Sequence, residues 1–373
     1  MIRRVISVIF SAVLLMGLSV GFSADRVSCS ADAYALYCVN NGELLLSRDE
    51  TAPLSMASTT KVMSAWLTLE QAQRDDRVVT FTDEMIAEGS SMYLQVGEQL
   101  HLSDLAVGML LCSGNDAANA AAIAIGGSIE GFAKRMNARA AAIGMTQTHF
   151  VTPSGLDDDD HYSTAYDMAL LLAAAMENDS FREICGSSTM QVSFVYPPDK
   201  RVSYQNHNRL LSLYPDCIGG KTGYTEKSGR CLVSCAERDG VRLVCVTLGD
   251  PDDWDDHMAL FDEGFEQLRA VSLGESRYTV AVAGGDHDTL TLTADLRYLP
   301  VVPAGSPDPT VAVYLPAFAY APISRGDVLG EVRCTVQDHV IASYPLTASS
   351  SVDRIDVKIT LLDRLKELLP WHS

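Results

Sequence analysis

The residues best placed to do chemistry in this sequence are a serine and a lysine three positions apart. Ser58 and Lys61 bound the segment Ser-Thr-Thr-Lys at the start of a predicted helix. Positions i and i+3 share one helical face, so the Lys61 amine can reach the Ser58 hydroxyl. A serine becomes nucleophilic when a base takes its proton, and a lysine can do so when burial or a nearby cation lowers its pKa. Taken alone, the spacing also fits a helix-capping serine beside an exposed lysine.

A second motif, Ser113-Gly114-Asn115, lies between two predicted helical segments. Its hydroxyl could relay a proton and its amide could hold the amide of a substrate. The alternative is a simple turn between helices.

A third motif, Lys221-Thr222-Gly223, precedes a predicted β-hairpin. An ammonium and a hydroxyl can bind a carboxylate together, and glycine lets a ligand approach the backbone closely. The alternative is a solvated strand edge.

In this order, the three motifs resemble those of the penicillin-recognising serine enzymes. The flanking sequence resembles most the serine-type D-Ala-D-Ala carboxypeptidases, the low-molecular-mass penicillin-binding proteins of peptidase family S11. The resemblance covers roughly Ala33 to Leu268, and the matching stretches are residues 56–61, 111–120, 150–156, 161–167, 206–211 and 221–225.

This resemblance implies that Ser58 attacks the carbonyl between two terminal D-alanines of a peptidoglycan stem pentapeptide, with Lys61 as the general base. It implies that Ser113 passes the proton to the leaving D-alanine, and that Asn115 holds the substrate amide. A β-lactam would acylate the same Ser58 and act as an inhibitor.

The third motif has implied roles as well. Lys221 and Thr222 would bind the terminal carboxylate, with Gly223 lining the same site. The backbone N–H groups of Ser58 and Tyr224 would form an oxyanion hole. The reaction needs neither a cofactor nor a metal.

One stretch departs from the family pattern. Some members carry an arginine that supports carboxylate binding after the strand that follows the hairpin, whereas residues 251–257 here contain none. His257 could replace it, although an acidic helix start is the favoured interpretation. His161 follows the acids at 157–160, and we interpret that cluster as a solvated loop and not as a metal site.

Other functions remain open. A β-lactamase would share the scaffold, but residues 151–162 contain no glutamate to position a deacylating water. A DD-endopeptidase would use the same residues on peptide cross-links. A non-hydrolytic cell-wall scaffold would bind penicillin without turnover.

Composition and the N-terminus place the protein outside the cytoplasm. Arg3 and Arg4 precede an apolar run at 5–20 and small residues up to Ala24, which is typical of a secretory signal peptide. An uncleaved membrane anchor is the alternative. The net charge of −20 argues against nucleic-acid binding. We therefore expect an exported protein of the cell envelope.

The cysteines do not indicate a clear pattern of disulfide bonds. Nine is an odd number, so at least one thiol stays unpaired even if export favours disulfides. Cys29 and Cys38 are the only local candidates for a pair. There is no C-x-x-C motif, which gives a structural zinc site little support.

The elements that must position these motifs follow an α+β order. A hairpin around the turn at 40–42 precedes predicted helical segments at 58–72, 103–125, 131–143 and 164–176. Strands return at 231–236 and 241–248, and a last helix is predicted from Trp254 to Val271. This order predicts an antiparallel sheet packed between helices, as in the serine β-lactamase and transpeptidase fold. We divide the chain into a signal peptide at 1–24, a catalytic domain at 25–274, a small β-rich domain at 275–350 and a tail at 351–373. The spacing of apolar residues from Val352 to Leu369 favours an amphipathic helix, a candidate for contact with a membrane surface. A strand is the alternative, because residues 354–361 also alternate strictly.

Overall fold

The computed structural model describes residues 27–355, and these form two compact units. The first holds residues 27–270 together with 301–304, and the second holds residues 271–300 and 305–355. The predicted signal peptide and residues 356–373 of the predicted tail lie outside the described residues. The domain boundaries proposed from the sequence stay a prediction.

The elements are numbered in chain order. The strands are β1 (Ala33–Cys38), β2 (Glu43–Arg48), β3 (Val78–Thr80), β4 (Gln99–His101), β5 (Thr189–Ser193), β6 (Arg201–Gln205), β7 (Cys217–Thr225), β8 (Gly229–Arg238), β9 (Val241–Leu248), β10 (Leu268–Ala270), β11 (Arg277–Ala283), β12 (Thr289–Ala294), β13 (Val301–Pro303), β14 (Thr310–Tyr314), β15 (Phe318–Tyr320), β16 (Val328–Val336) and β17 (His339–Ala348). The helices are α1 (Lys61–Ala72), α2 (Leu102–Leu111), α3 (Asn115–Gly126), α4 (Ile129–Ala142), α5 (Ala165–Ala175), α6 (Asp179–Gly186), α7 (Leu210–Leu213) and α8 (Asp253–Gln267).

The centre of the first unit is a five-stranded antiparallel sheet in the order β2-β1-β9-β8-β7. Both of its faces are covered, because side chains alternate between the two faces of a strand. Along β8, Cys231, Val233 and Cys235 join the core beneath the helices α1–α5. Leu232 and Ala236 point the other way and join the core beneath α8. The predicted α+β fold, with an antiparallel sheet between helices, is confirmed.

The helices match the predicted segments with two refinements. The segment predicted as a helix from Ser58 begins with a short 3-10 turn at Ala57–Thr60, and α1 follows from Lys61. The segment predicted as helical from Ser103 to Ile125 forms two helices, α2 and α3, separated at residues 112–114. The second motif therefore lies at the junction of two helices, as its sequence indicated.

The last predicted helix of this region ends earlier than expected. A helix from Trp254 to Val271 was predicted, but α8 ends at Gln267 and residues 268–270 form β10. Strand β10 pairs with β13, which the chain supplies thirty residues later. A pairing partner so distant in sequence is invisible to local periodicity.

The second unit consists of β-strands, as predicted. Its sheet has the order β14-β16-β17-β12-β11-β15, with a core of Val280, Leu290, Leu292, Val332 and Leu346. The predicted tail helix does not begin at Val352. Val352 and Arg354 form isolated β-bridges with Ile323 and Gly285. Within residues 27–355, no helix is long and apolar enough to span a membrane.

Candidate active site

The turn that carries Ser58 is held in an uncommon backbone conformation. Ala57 has φ +47°, which L-residues other than asparagine and aspartate rarely adopt. Gly155 packs directly against this turn with φ +82°, and a Cβ there would lie 1.9 Å from the Ala57 carbonyl oxygen. The loop around Gly155 therefore fixes the turn and presents the half-buried Ser58 at the start of α1.

Lys61 lies against Ser58 in the geometry that a base requires. Its Nζ is 2.7 Å from the Ser58 Oγ and donates a second hydrogen bond to the Ser154 carbonyl at 2.6 Å. Lys61 is fully buried. Burial, followed by the positive charge of Lys221, holds the pKa of Lys61 well below its usual value. A neutral Lys61 amine can accept the Ser58 proton.

A second lysine–serine pair faces the first. Lys221 Nζ donates hydrogen bonds to the Ser113 Oγ at 3.0 Å and to the Thr222 carbonyl at 2.6 Å. Ser113 is buried with φ +60°, a strained value that is imposed where α2 gives way to α3. Burial lowers the pKa of Lys221 to about 7. The Ser113 hydroxyl can thus exchange protons with a nearby amine.

Asn115 offers a free acceptor to a ligand. Its Nδ2 donates to the Glu88 carbonyl at 2.6 Å, which orients the side-chain amide. Its buried Oδ1 has no hydrogen-bond partner among the described residues. Because a buried acceptor without a donor is costly, this oxygen is suited to accept an N–H from a bound substrate.

Strand β7 forms the edge of the sheet beside the nucleophile. A Cβ at Gly223 would lie 3.0 Å from the Met56 carbonyl oxygen and 3.1 Å from the Ser58 backbone nitrogen. Only glycine fits this approach without displacing the turn. Thr222 is half-buried and Tyr224 is 65% exposed. The backbone of β7 and the turn of Ser58 thus line one cleft, with the side chains of the three motifs around it.

His161 shows where the sequence interpretation was wrong. It was placed in a solvated loop, but only the acids at 157–160 are exposed, and His161 is 3% exposed. Its Nδ1 accepts hydrogen bonds from the backbone nitrogens of Val151 (2.9 Å) and Thr152 (3.2 Å). Its Nε2 therefore donates to the Thr60 Oγ1 at 2.9 Å. Burial lowers the pKa of His161 to about 4.

Two further contributions were missed from sequence. The Ser154 carbonyl acts through its backbone, so its residue type carries no signal. Asp116 is buried and accepts hydrogen bonds from the backbone nitrogens of Met92 at 2.9 Å and Leu94 at 3.1 Å. It thereby holds the loop at 91–94 against α3. Its position directly after Asn115 was the only available signal.

The structure also shows what residues 251–257, the stretch that lacks the family arginine, form. His257 is fully buried, with Nδ1 2.6 Å from the Ser234 Oγ and Nε2 3.1 Å from the Thr247 Oγ1, so it does not reach a carboxylate pocket. The acidic helix start favoured from sequence is present, because α8 begins with Asp253, Asp255 and Asp256.

A different arginine lies beside the third motif. Arg230 of β8 is directly opposite Tyr224, and Leu232 is opposite Thr222. Because residues two apart on a strand share a face, Arg230 lies on the same face as Thr222. Its NH2 pairs with Asp253 at 2.6 Å, while its buried Nε has no partner among the described residues.

The chain matches known proteins along most of its length. The family model described as D-alanyl-D-alanine carboxypeptidase matches residues 20–252, and that of the penicillin-binding protein 5 C-terminal domain matches residues 265–354. The carboxypeptidase DacB2 of Mycobacterium tuberculosis is 37% identical over 65% of this chain and 85% of its own. DacF of Bacillus subtilis is 29% identical over 92% of this chain and 91% of its own.

The structural comparison agrees with these matches. Penicillin-binding protein 5 from Haemophilus influenzae superposes with a TM-score of 0.65 at 26% identity, covering 88% of this chain and 98% of that one. The fold and the paired serine–lysine motifs define a serine peptidase of the penicillin-recognising class. Within that class, this chain belongs to the D-alanyl-D-alanine carboxypeptidase family.

Proposed function

We propose that this protein removes the terminal D-alanine from peptidoglycan stem pentapeptides through an acyl-enzyme on Ser58. The observation that carries the proposal is the 2.7 Å contact between the Ser58 Oγ and the fully buried Lys61 amine. A buried, neutral lysine at this distance can accept the hydroxyl proton as the oxygen attacks.

In the acylation step, the Ser58 Oγ forms a bond to the carbonyl carbon of the penultimate D-alanine while Lys61 takes its proton. The C–N bond to the last D-alanine then breaks as Ser113 donates its proton to the leaving amine. Ser113 takes the proton held by Lys61 in return, which leaves Lys61 neutral again. Asn115 Oδ1 accepts the N–H of the substrate amide. Backbone N–H groups of Ser58 and Tyr224 would stabilise the developing oxyanion.

Water completes the reaction. It attacks the acyl carbonyl while Lys61 accepts one of its protons. The C–O bond to Ser58 then breaks, Lys61 returns the proton to the Ser58 Oγ, and the shortened peptide is released. A β-lactam would acylate the same Ser58 through opening of its ring. No cofactor takes part in either reaction.

The terminal carboxylate would be bound by Lys221 and Thr222, with Arg230 in place of the arginine absent from residues 251–257. Two features support Arg230: its face of the sheet, shared with Thr222, and its unpartnered buried Nε. A guanidinium can donate to a carboxylate while keeping its pair with Asp253, because it carries five N–H groups.

We also propose that the protein acts outside the cytoplasm. The segment 1–24 would direct export, and the tail at 351–373 would contact a membrane surface through its apolar positions. The location suits a substrate found in the cell wall.

The test uses a stem pentapeptide that ends in D-Ala-D-Ala. Mass spectrometry should show loss of one alanine and a transient adduct on the Ser58 peptide. Ser58→Ala should abolish both D-alanine release and labelling by fluorescent penicillin, whereas Ser55→Ala, a substitution three residues earlier, should retain both. Labelling that persists in Ser58→Ala would show that the nucleophile is wrongly assigned.

The same assay separates the alternatives. Stable penicillin acylation without release of D-alanine would indicate a non-hydrolytic scaffold. Cleavage of cross-linked dimers in preference to pentapeptides would indicate a DD-endopeptidase. Rapid turnover of penicillin would indicate a β-lactamase.

A further inference from the structure

A second cluster of reactive side chains lies away from the Ser58 cleft, where the N-terminal segment meets the start of α8. Cys29, Asp250 and Asp256 each place one ligand atom within 4.8 Å of the others. All three are buried, at 7%, 0% and 8% exposure. The proposed carboxypeptidase reaction uses none of them.

The two carboxylates of this cluster have no cationic partner. Within residues 27–355, neither Asp250 nor Asp256 forms an ion pair with a lysine, arginine or histidine, whereas neighbouring Asp253 is paired with Arg230. Burying like charges at this spacing without a counter-charge is unfavourable. A shared proton or a cation would relieve it.

The surrounding hydrogen bonds leave one acceptor open. The Ser30 Oγ lies 2.7 Å from Asp250 Oδ1 and 2.8 Å from Asp256 Oδ2, and it can donate its single proton to one of them. The Ser30 backbone nitrogen donates to Asp256 Oδ2 at 2.6 Å. The Asp252 backbone nitrogen donates to Asp250 Oδ1 at 3.1 Å. The buried Asp250 Oδ2 accepts no hydrogen bond of regular geometry among the described residues, although the Thr247 hydroxyl lies beside this carboxyl.

The identity of the third group favours a cation over a proton. A carboxyl–carboxylate pair that shares a proton needs no further ligand, but here the Cys29 sulfur completes a triangle with the two oxygens. Sulfur and carboxylate oxygen together suit zinc, which is bound by thiolates and carboxylates, and not magnesium or calcium, which prefer oxygen alone.

We propose that Cys29, Asp250 and Asp256 bind one divalent cation of the zinc class. Three protein ligands leave a fourth tetrahedral position for water. The cation would fasten the N-terminal segment to the first turn of α8, just before β1 begins at Ala33 and pairs with β9. No metal was expected from the sequence, and local spacing could not indicate this site because Cys29 lies more than 220 residues before the two aspartates.

The experiment uses the full chain, reduced with a phosphine and freed of metal with a chelator. Cd²⁺ should produce one equivalent of thiolate-to-metal charge-transfer absorption, and Zn²⁺ should compete for it and raise the melting temperature. Cys29→Ala should abolish the absorption. Asp256→Asn should weaken the apparent affinity at least about tenfold.

Matched controls separate loss of a ligand from general damage. Cys334→Ala removes a buried thiol from the second unit, and Asp255→Asn removes an exposed acid adjacent to Asp256. Both should bind Cd²⁺ like the wild type. If Cys29→Ala does not fold, Asp256→Asn still tests the site.

Two results would overturn the proposal. One is the absence of charge-transfer absorption, or absorption that is unchanged in Cys29→Ala. The other is a melting temperature that responds to pH but not to Zn²⁺, which would show that Asp250 and Asp256 share a proton. Neither readout depends on carboxypeptidase activity, so the site can fail while the proposed function stands.

Discussion

Burial sets the chemistry of single residues in this protein. Lys61 and Lys221 are ordinary lysines in the sequence, yet both are buried at the cleft. Desolvation destabilises the charged ammonium, so the pKa of each is lowered, and the pKa of Lys221 falls to about 7. Two lysines can therefore take different roles: Lys61 as a neutral base and Lys221 as a cation for a carboxylate.

This assignment predicts a pH profile. Lys221 is charged below a pH of about 7 and neutral above it, so kcat/KM should fall about tenfold per pH unit on the alkaline side. Deprotonation of Lys61 should limit the acid side. The measurement is kcat/KM against pH for a pentapeptide with a free terminal carboxylate.

A matched substrate tests the cause. A peptide whose terminal carboxylate is amidated has no charge for Lys221 to bind, so its alkaline limb should be absent. An alkaline limb of equal steepness for both peptides would contradict the role given to Lys221.

Arg230 carries a prediction of its own. Arg230→Gln should raise KM for the carboxylate substrate about tenfold, with kcat changed little, because one charge-assisted hydrogen bond contributes about 1.5–3 kcal/mol. Arg238→Gln, at the far end of β8, should leave KM unchanged. An unchanged KM in Arg230→Gln would leave carboxylate binding to Lys221 and Thr222.

Among the structural elements, the loop at residues 150–156 contacts several residues of the candidate active site. Residues 150–156 supply the Ser154 carbonyl to Lys61 and pack Gly155 beneath Ala57. His161 ties this loop to Thr60. The sequence showed this loop as one of the stretches that resemble the family. Its contacts with Lys61, Ala57 and Thr60 are visible only in the folded structure.

The hydrogen bonds of His161 predict the effect of replacing this residue. His161→Gln should lower stability by about 2–4 kcal/mol, since the backbone nitrogens of Val151 and Thr152 lose their acceptor. It should also lower kcat, because the Ser154 carbonyl shifts relative to Lys61. Thermal unfolding and turnover measure the two effects, and His149→Gln, whose ring is on the exposed side of the same loop, is the control.

His161 should also make the stability of the protein depend on pH, and His161→Gln should remove this dependence. Since the pKa of His161 is about 4 when folded and about 6.5 when unfolded, the unfolded chain binds the extra proton in that window. Wild-type stability should therefore fall by about 3 kcal/mol from this group as pH drops from 6.5 to 4. The slope should be one proton smaller in His161→Gln, and an unchanged slope would contradict a buried neutral ring.

Elements with strong local signals were predicted, and those that depend on remote partners were not. The hairpin β1–β2 has an Asn-Asn-Gly turn, and α3 and α5 are rich in alanine and other helix formers. The strands of the β5–β6 hairpin alternate polar and apolar residues over only five positions each, and β10 pairs only with β13. Their stability comes from tertiary contacts, which local sequence does not encode.

Considered as a whole molecule, the protein carries its thiols unpaired. All nine cysteines are free, including Cys29 and Cys38, and eight of them are buried. Export would favour disulfides, but most of these thiols lie in apolar surroundings as small core side chains, whereas Cys29 lies beside Asp250 and Asp256. Burial raises the pKa of Cys112, the one half-buried thiol, to about 11.

This state predicts a thiol count. The protein should react with nine equivalents of a thiol reagent in denaturant, and with at most one quickly in the native state at pH 8. A count of seven in denaturant, restored to nine by a reductant, would reveal a disulfide instead.

The sequence by itself determined the three motifs, the chemistry that they indicate and the α+β class. It could do so because residue type, local spacing and periodicity carry that information. The tertiary structure alone decided that Lys61 is buried against Ser58 and Ser154, and that Arg230 lies on the face of Thr222. It also decided that Cys29 meets Asp250 and Asp256. Burial and long-range pairing are properties of the folded chain, since groups hundreds of residues apart become neighbours only when the core forms.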